Sequence, residues 1–189
     1  MEKNLKQFSP VTVLGSPVIK GKALTGIPLI VRDSVIEVHT NIQKWNAIHL
    51  KGIPIVQSII DLKNDESYPA ELITLCSSLE KICDEIDAVV CNLKILFHKF
   101  QKLQSLNENR IILFSTWSIE KFANTVETVY TSYKNEAKTK RIIVENIAHE
   151  FGDAAKMVYF ASWVYQPQIA DNLKFQIEMM LIETGLRKI

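Results

Sequence analysis

Side chains able to do chemistry are thinly spread along this chain of 189 residues. Its four histidines, His39, His49, His98 and His149, stand far apart. His149-Glu150 begins the helical zinc-protease pattern, but the position that needs a second histidine holds Asp153. The glycines and lysine at Gly15, Gly21 and Lys22 approach the spacing of a phosphate loop. The interval is one residue too long, Pro17 interrupts it, and Ala23 stands where a metal-binding Ser or Thr is required. No serine sits in a nucleophile elbow, and no glycine-rich dinucleotide loop follows a strand. Inward Glu-x-x-His pairs, which a di-metal helical bundle would need, are missing from the sequence, as is any C-x-x-C pair. Cys76 and Cys83, seven positions apart on one helix, read as small core residues in a reducing compartment. No catalytic, cofactor-binding or metal-binding residue is assigned, and the chain reads as a protein without a reaction centre.

The elements are far more legible than the chemistry. Between residues 69 and 104, Leu72, Leu79, Ile86, Leu93 and Phe100 recur every seven positions. Leu75, Ile82, Val89, Leu96 and Leu103 fill the complementary positions, so one long amphipathic helix is nearly forced. Cys76, Cys83, Val90 and Phe97 widen the apolar stripe beyond a two-stranded seam and predict a multi-helix bundle. A hydrophobic content of 47% and a mean hydropathy of +0.05 predict a folded core. A formal charge of +1 gives no general pull toward nucleic acid or an anionic membrane. The chain shows neither a signal-peptide pattern nor an apolar run long enough to span a bilayer, so a soluble intracellular protein is expected.

In chain order, residues 1–33 are rich in Pro and Gly and read as a flexible tail, with a marginal hairpin over 11–14 and 18–20. Ser9-Pro10 and Ser16-Pro17 are minimal sites for proline-directed kinases. Ser34 and Glu37 form a capping box for a helix over 34–49, which Gly52 and Pro54 are expected to end before a shorter helical segment over 55–62. An extended connector is expected at 111–114, and Ser118 then caps a second long helix, with Trp117 and Phe122 as its hydrophobic staple. That helix has a polar interruption at Glu136 and Lys140, which predicts middle turns that protrude or shift in register. Gly152 is expected as its left-handed stop, with Phe151 on its buried face. Asp153 should cap a helix carrying Met157, Phe160, Trp163 and Val164 inward. Asp171 should cap the last helix, with Leu173, Ile177, Met180 and Leu181 inward and Gly185 at its end. The predicted fold is all-α. It is an elongated bundle of two long, coiled-coil-like antiparallel helices with shorter flanking helices, forming one domain over 34–189 behind the tail.

Lys134, Lys138, Lys140 and Arg141 make a basic set in the second long helix. Glu136 and Glu145 lie four residues from Lys140 and Arg141, so pairing within the helix accounts for most of it. The same set is the basis of an alternative reading, a helical accessory protein that binds nucleic acid.

From Ser34 onward one set of residues stands out in order: His39, Ile42, Lys44 and Trp45, then Phe114, Thr116 and Trp117 at the connector. The set continues through Lys140-Arg141, Ala148-His149, Trp163 and Gln166-Pro167 to the tail from Met180 to Gly185 with Arg187. On these residues the chain resembles the cyclin-dependent kinase 2-interacting protein family. Leu186 departs from it, standing where a polar residue is expected, and residues 1–33 show no match. The resemblance implies a non-catalytic adaptor without cofactors, located in the nucleus. It implies as partners cyclin-dependent kinase and replication-initiation kinase complexes, checkpoint proteins, and the subunits of a nuclear AAA ATPase assembly. That assembly acts in large-ribosomal-subunit maturation and on replication complexes. Trp163, Gln166, Pro167, Glu183, Gly185 and Arg187 are the candidate partner-binding residues. Arg187, which no helix or cap requires, is the one expected to be exposed, and the 166–167 loop and the 183–187 turn are expected to form a single docking edge.

Overall fold

A computed structural model describes residues 24–106 and 112–188. The expected hairpin, Ser9 and Ser16 lie outside the described residues. Five helices follow one another: α1 (Gly26–Leu62), α2 (Ala70–Ser105), α3 (Ile119–Ile147), α4 (Asp153–Tyr165) and α5 (Asp171–Glu183). Among the described residues β-pairing is limited to one isolated bridge between Ile112 and Ser118, and no helix is long and apolar enough to cross a membrane.

The seven-residue pattern of α2 is buried as its spacing requires. Leu72, Leu79, Ile86, Leu93 and Phe100 are all covered, as are Ile82, Val89 and Leu96, while Leu75 and Leu103 near the ends are partly covered. This stripe packs α2 against both α1 and α3. On the far side, α4 and α5 each contact α1 and α3 but not α2. The molecule is therefore an up-down-up-down bundle whose fourth column is broken into two short helices. Two polar contacts fix the direction of that column. Lys156 in α4 donates to the carbonyl of Lys63 just past α1, and Glu183 at the end of α5 accepts from Thr116 and Trp117 just before α3.

Two of the long helices differ from expectation. α1 begins at Gly26 rather than Ser34, so the boundary drawn at residue 33 cuts through a helix whose Val31 is fully buried. Ser34 caps nothing: its hydroxyl donates to the Ile30 carbonyl one turn back, inside the helix. Nor does the helix stop at Gly52 and Pro54. Val31, Val35, Val38, Ile42, Trp45, His49, Gly52, Val56 and Ile59 form one buried stripe of alternating four- and three-residue steps. Pro54 lies on the exposed side, where the carbonyl it leaves without a helical partner can turn to water. Three long helices result rather than two.

In α3 the expected start is in place. The Ser118 side chain accepts from the Lys121 N–H, and the Trp117 and Phe122 rings lie 5.0 Å apart. The polar interruption does not protrude, however. Glu136 and Lys140 are both fully buried. Gly152 has φ −73°, an ordinary conformation rather than a left-handed stop, and Phe151 beside it is 49% exposed. Asp153 and Asp171 are the first residues of their helices, not the caps; each instead pairs with the lysine three positions on, Lys156 and Lys174.

Candidate interaction surface

The residues singled out in the C-terminal third are used largely to close the bundle. Trp163 is fully buried. Its ring lies so close over Gly52 that a Cβ there would stand 2.3 Å from a ring carbon, and its indole N–H points at the His49 carbonyl at 3.5 Å. It presents nothing to a partner in this conformation. Gln166 accepts a 2.7 Å hydrogen bond from the Trp45 indole and is held at φ 49°, a left-handed conformation unusual for a non-glycine residue. Pro167 beside it is exposed.

At the other end of α5, Glu183 accepts from the Thr116 and Trp117 N–H groups at 2.5 and 2.8 Å and from the Thr116 hydroxyl at 3.0 Å. Burial alone would raise its pKa. The hydrogen bonds from Thr116, Trp117 and Ser115 outweigh that, and its carboxyl sits below the ordinary glutamate value. Gly185 takes φ 71° at the helix end, a backbone setting for which glycine is suited. Arg187 is not the free exposed guanidinium its position suggested. It is half-buried and paired with Glu178 one helix face away. The 166–167 loop and the 183–187 turn stand at opposite ends of α5, roughly 20 Å apart by helical rise, so their residues do not meet in one compact site.

A buried polar cluster joins α1, α3 and the α4–α5 column at the polar interruption of α3. Lys140 Nζ donates to His49 Nδ1 at 3.2 Å and to the Trp163 carbonyl at 3.1 Å, and it lies 3.5 Å from Glu136 Oε1, a buried oxygen with no hydrogen-bond partner among the described residues. The same ammonium lies over the Trp163 ring, 4.2 Å from its centroid. Glu136 in turn accepts from the Gln168 N–H at 3.1 Å. Burial lowers the Lys140 pKa to about 8, partly offset by Glu136. Burial and the Lys140 charge together lower His49 to about 3, and burial raises Glu136. At neutral pH His49 is a neutral imidazole that accepts from Lys140. The cluster is sealed on all sides and works as a fastener. Among the described residues no group of three or more His, Cys, Asp or Glu side chains could hold a metal ion.

The basic set of α3 is likewise taken apart by the fold. Lys140 is inside, and Arg141 reaches across to Asp84 and Asp87 of α2 at 2.5 and 2.6 Å rather than to Glu145. Lys134 and Lys138 remain beside a groove of about 420 Å³ whose walls also carry Asp87 and Glu145, so the charge there is mixed.

What the fold leaves open is α4. Met157, expected to point inward, is 62% exposed, with Val158 at 61% and Tyr165 at 72% beside it. The one charged side chain between residues 154 and 165, Lys156, is the one turned inward. Of the residues expected on the inward face, Trp163 is buried and Phe160 and Val164 are partly covered, while Met157 turns to solvent.

No family model matches the chain. Curated proteins do. One from Xenopus laevis is 27% identical over 90% of this chain and 95% of its own length. Another from Mus musculus is 28% identical over 82% and 88%, and one from Homo sapiens 25% identical over 83% and 89%. All three are named cyclin-dependent kinase 2-interacting protein. The chain is similar to these proteins along most of its length. Trp45, Trp117, Trp163 and Gln166 help fasten the fourth column to the other three.

Proposed function

We propose that this chain is a non-catalytic adaptor that binds a cyclin-dependent kinase complex. The observation that carries the reading is the match along nearly the whole of both chains to relatives named for interaction with such a kinase. In its finer form the adaptor is nuclear and links replication-initiation kinase and checkpoint proteins. It is also a subunit of a AAA ATPase assembly acting in large-ribosomal-subunit maturation and on replication complexes. Three features support an adaptor over an enzyme or a nucleic-acid binder. The buried ionisable cluster is shut off from solvent, Lys140 and Arg141 of the α3 basic set are engaged within the fold, and α4 offers an apolar face to solvent.

The test is purification of the full chain, tagged and expressed at native abundance, followed by mass spectrometry. Cyclin-dependent kinase and AAA ATPase subunits should be enriched over an untagged control. Recovery of a folded chain with neither partner would sink the proposal. A salt-dependent shift of bare DNA or RNA by the purified chain would favour the nucleic-acid reading instead.

A further inference from the structure

The groove between α2 and α3 sorts its charges by sign. Val90, Ala137 and Ile142 give it an apolar lining, and Ile142 is 56% exposed. Along the α3 wall the charges run Lys134, Lys138, Arg141 and Glu145. Arg141 is taken up by Asp84 and Asp87 of α2, and two carboxylates with one guanidinium leave that trio with one net negative charge. Lys134 has only the face of the Tyr130 ring, and among the described residues neither Lys138 nor Glu145 has an ion-pair partner. The next acid on the α3 row, Glu127, lies two turns beyond Lys134 and does not line the groove.

α2 repeats the order. It runs antiparallel to α3, with Asp87 paired to Arg141 and Phe97 stacked on Tyr130. Lys94, one heptad past Asp87, therefore falls level with Lys134, and Glu80, one heptad before Asp87, lies at the opposite end. The face thus has a basic end, an acidic end and Ile142 between them. Such a face is complementary to itself when a second copy is turned by half a revolution about an axis through its middle. Lys134 and Lys138 of one copy then meet two negative charges of the other, Glu145 and the net charge of the Asp84–Asp87–Arg141 trio, while the two Ile142 side chains meet at the axis. A nucleic acid fits less well, because its phosphates would run onto the acidic end. An extended peptide would find no free backbone donors or acceptors along two helices. We propose that this chain self-associates through the α2–α3 groove as a two-fold dimer, the basic end of each copy facing the acidic end of the other. From Lys134 to Glu145 the face is about 16 Å long, smaller than the interfaces of permanent dimers, so the association is weak and reversible.

Sedimentation equilibrium of the full chain from about 1 to 300 μM tests this, over the range in which a contact of this size associates. The wild type should pass from monomer to dimer, and added salt should move the midpoint to higher concentration. Lys138→Glu sets a carboxylate against the other copy's Glu145, and Glu145→Lys sets an ammonium against the other copy's Lys138. Each alone should melt like the wild type and dimerise about tenfold or more weakly. Mixed in equal amounts, the two variants bring opposite charges together at both contacts and should form a heterodimer about as well as the wild type forms its dimer. Rescue by mixing cannot come from misfolded chains. Ile142→Ser should also weaken the dimer, with no change of charge. A wild type that stays monomeric at the highest concentration overturns the proposal. So does a dimer that none of the three variants weakens, which places the interface elsewhere, and so do single variants that mixing fails to rescue.

Discussion

At the level of single residues, the Glu136–Lys140 pair shows how a buried charge is made tolerable. Desolvating an ion pair costs several kcal/mol, and the cost is offset to the extent that protons and lone pairs find partners: His49 and Trp163 accept from Lys140 and Gln168 donates to Glu136 Oε2, while Glu136 Oε1 has only its 3.5 Å ion-pair contact. Lys140→Met should destabilise the fold by about 3–5 kcal/mol, because it leaves the Glu136 carboxylate buried without a counter-charge. Adding Glu136→Gln, which keeps an acceptor for the Gln168 N–H, should recover more than half of that. Chemical denaturation of both variants checks this, and a single variant as stable as wild type would show the pair to be dispensable. His49 gives the cluster a pH dependence. Its folded pKa of about 3 lies below the unfolded 6.5. As pH falls through that window the unfolded chain gains a proton that the native chain does not, so stability is lost on acidification. Between pH 7.5 and pH 5.0, one such group contributes about 2 kcal/mol of lost stability. His39, lowered by its burial and by nearby Arg187, acts in the same direction. In His49→Asn, which retains an acceptor for Lys140, the loss over that interval should shrink by about that amount. Identical pH profiles for variant and wild type would contradict the assignment.

At the level of the helix, Gly52 is the informative position. In an exposed helix, Gly→Ala stabilises by about 1 kcal/mol. At Gly52 the sign should reverse, because the new methyl would enter the Trp163 ring. Gly52→Ala is expected to lower stability by about 1–3 kcal/mol, measured by thermal melting. A variant that melts higher than wild type would show that Gly52 is no notch. The same residue explains why α1 could be misjudged. Gly and Pro two positions apart usually end a helix, yet the heptad stripe runs unbroken through His49, Gly52 and Val56. Continuity of the stripe was the better signal, and it was legible in the sequence. α4 is the opposite case, since it is apolar nearly all round and its spacing contains no preference for one side over the other.

For the molecule as a whole, the broken fourth column closes a bundle that three helices leave open. Ending the chain at Gly152 would strip the cover from Trp45 and the Glu136–Lys140 pair. Cooperative melting should then be lost, with dye binding to the exposed core. A truncated chain with an unchanged transition would mean that α1, α2 and α3 suffice. The sequence alone determined the helical class, the buried stripe of α2, the Ser118 start of α3 and the inward face of α5. Each of these follows from local spacing, which reports residues that share a face within one element. Only the tertiary structure decided that Glu136 and Lys140 lie inside, that Gly52 seats Trp163, that Arg187 is paired with Glu178, and that Met157 and Val158 face solvent. Those outcomes depend on partners remote in the chain, such as Gln166 for Trp45 and His49 for Lys140, and no periodicity within one helix specifies what a neighbouring helix will bring to it.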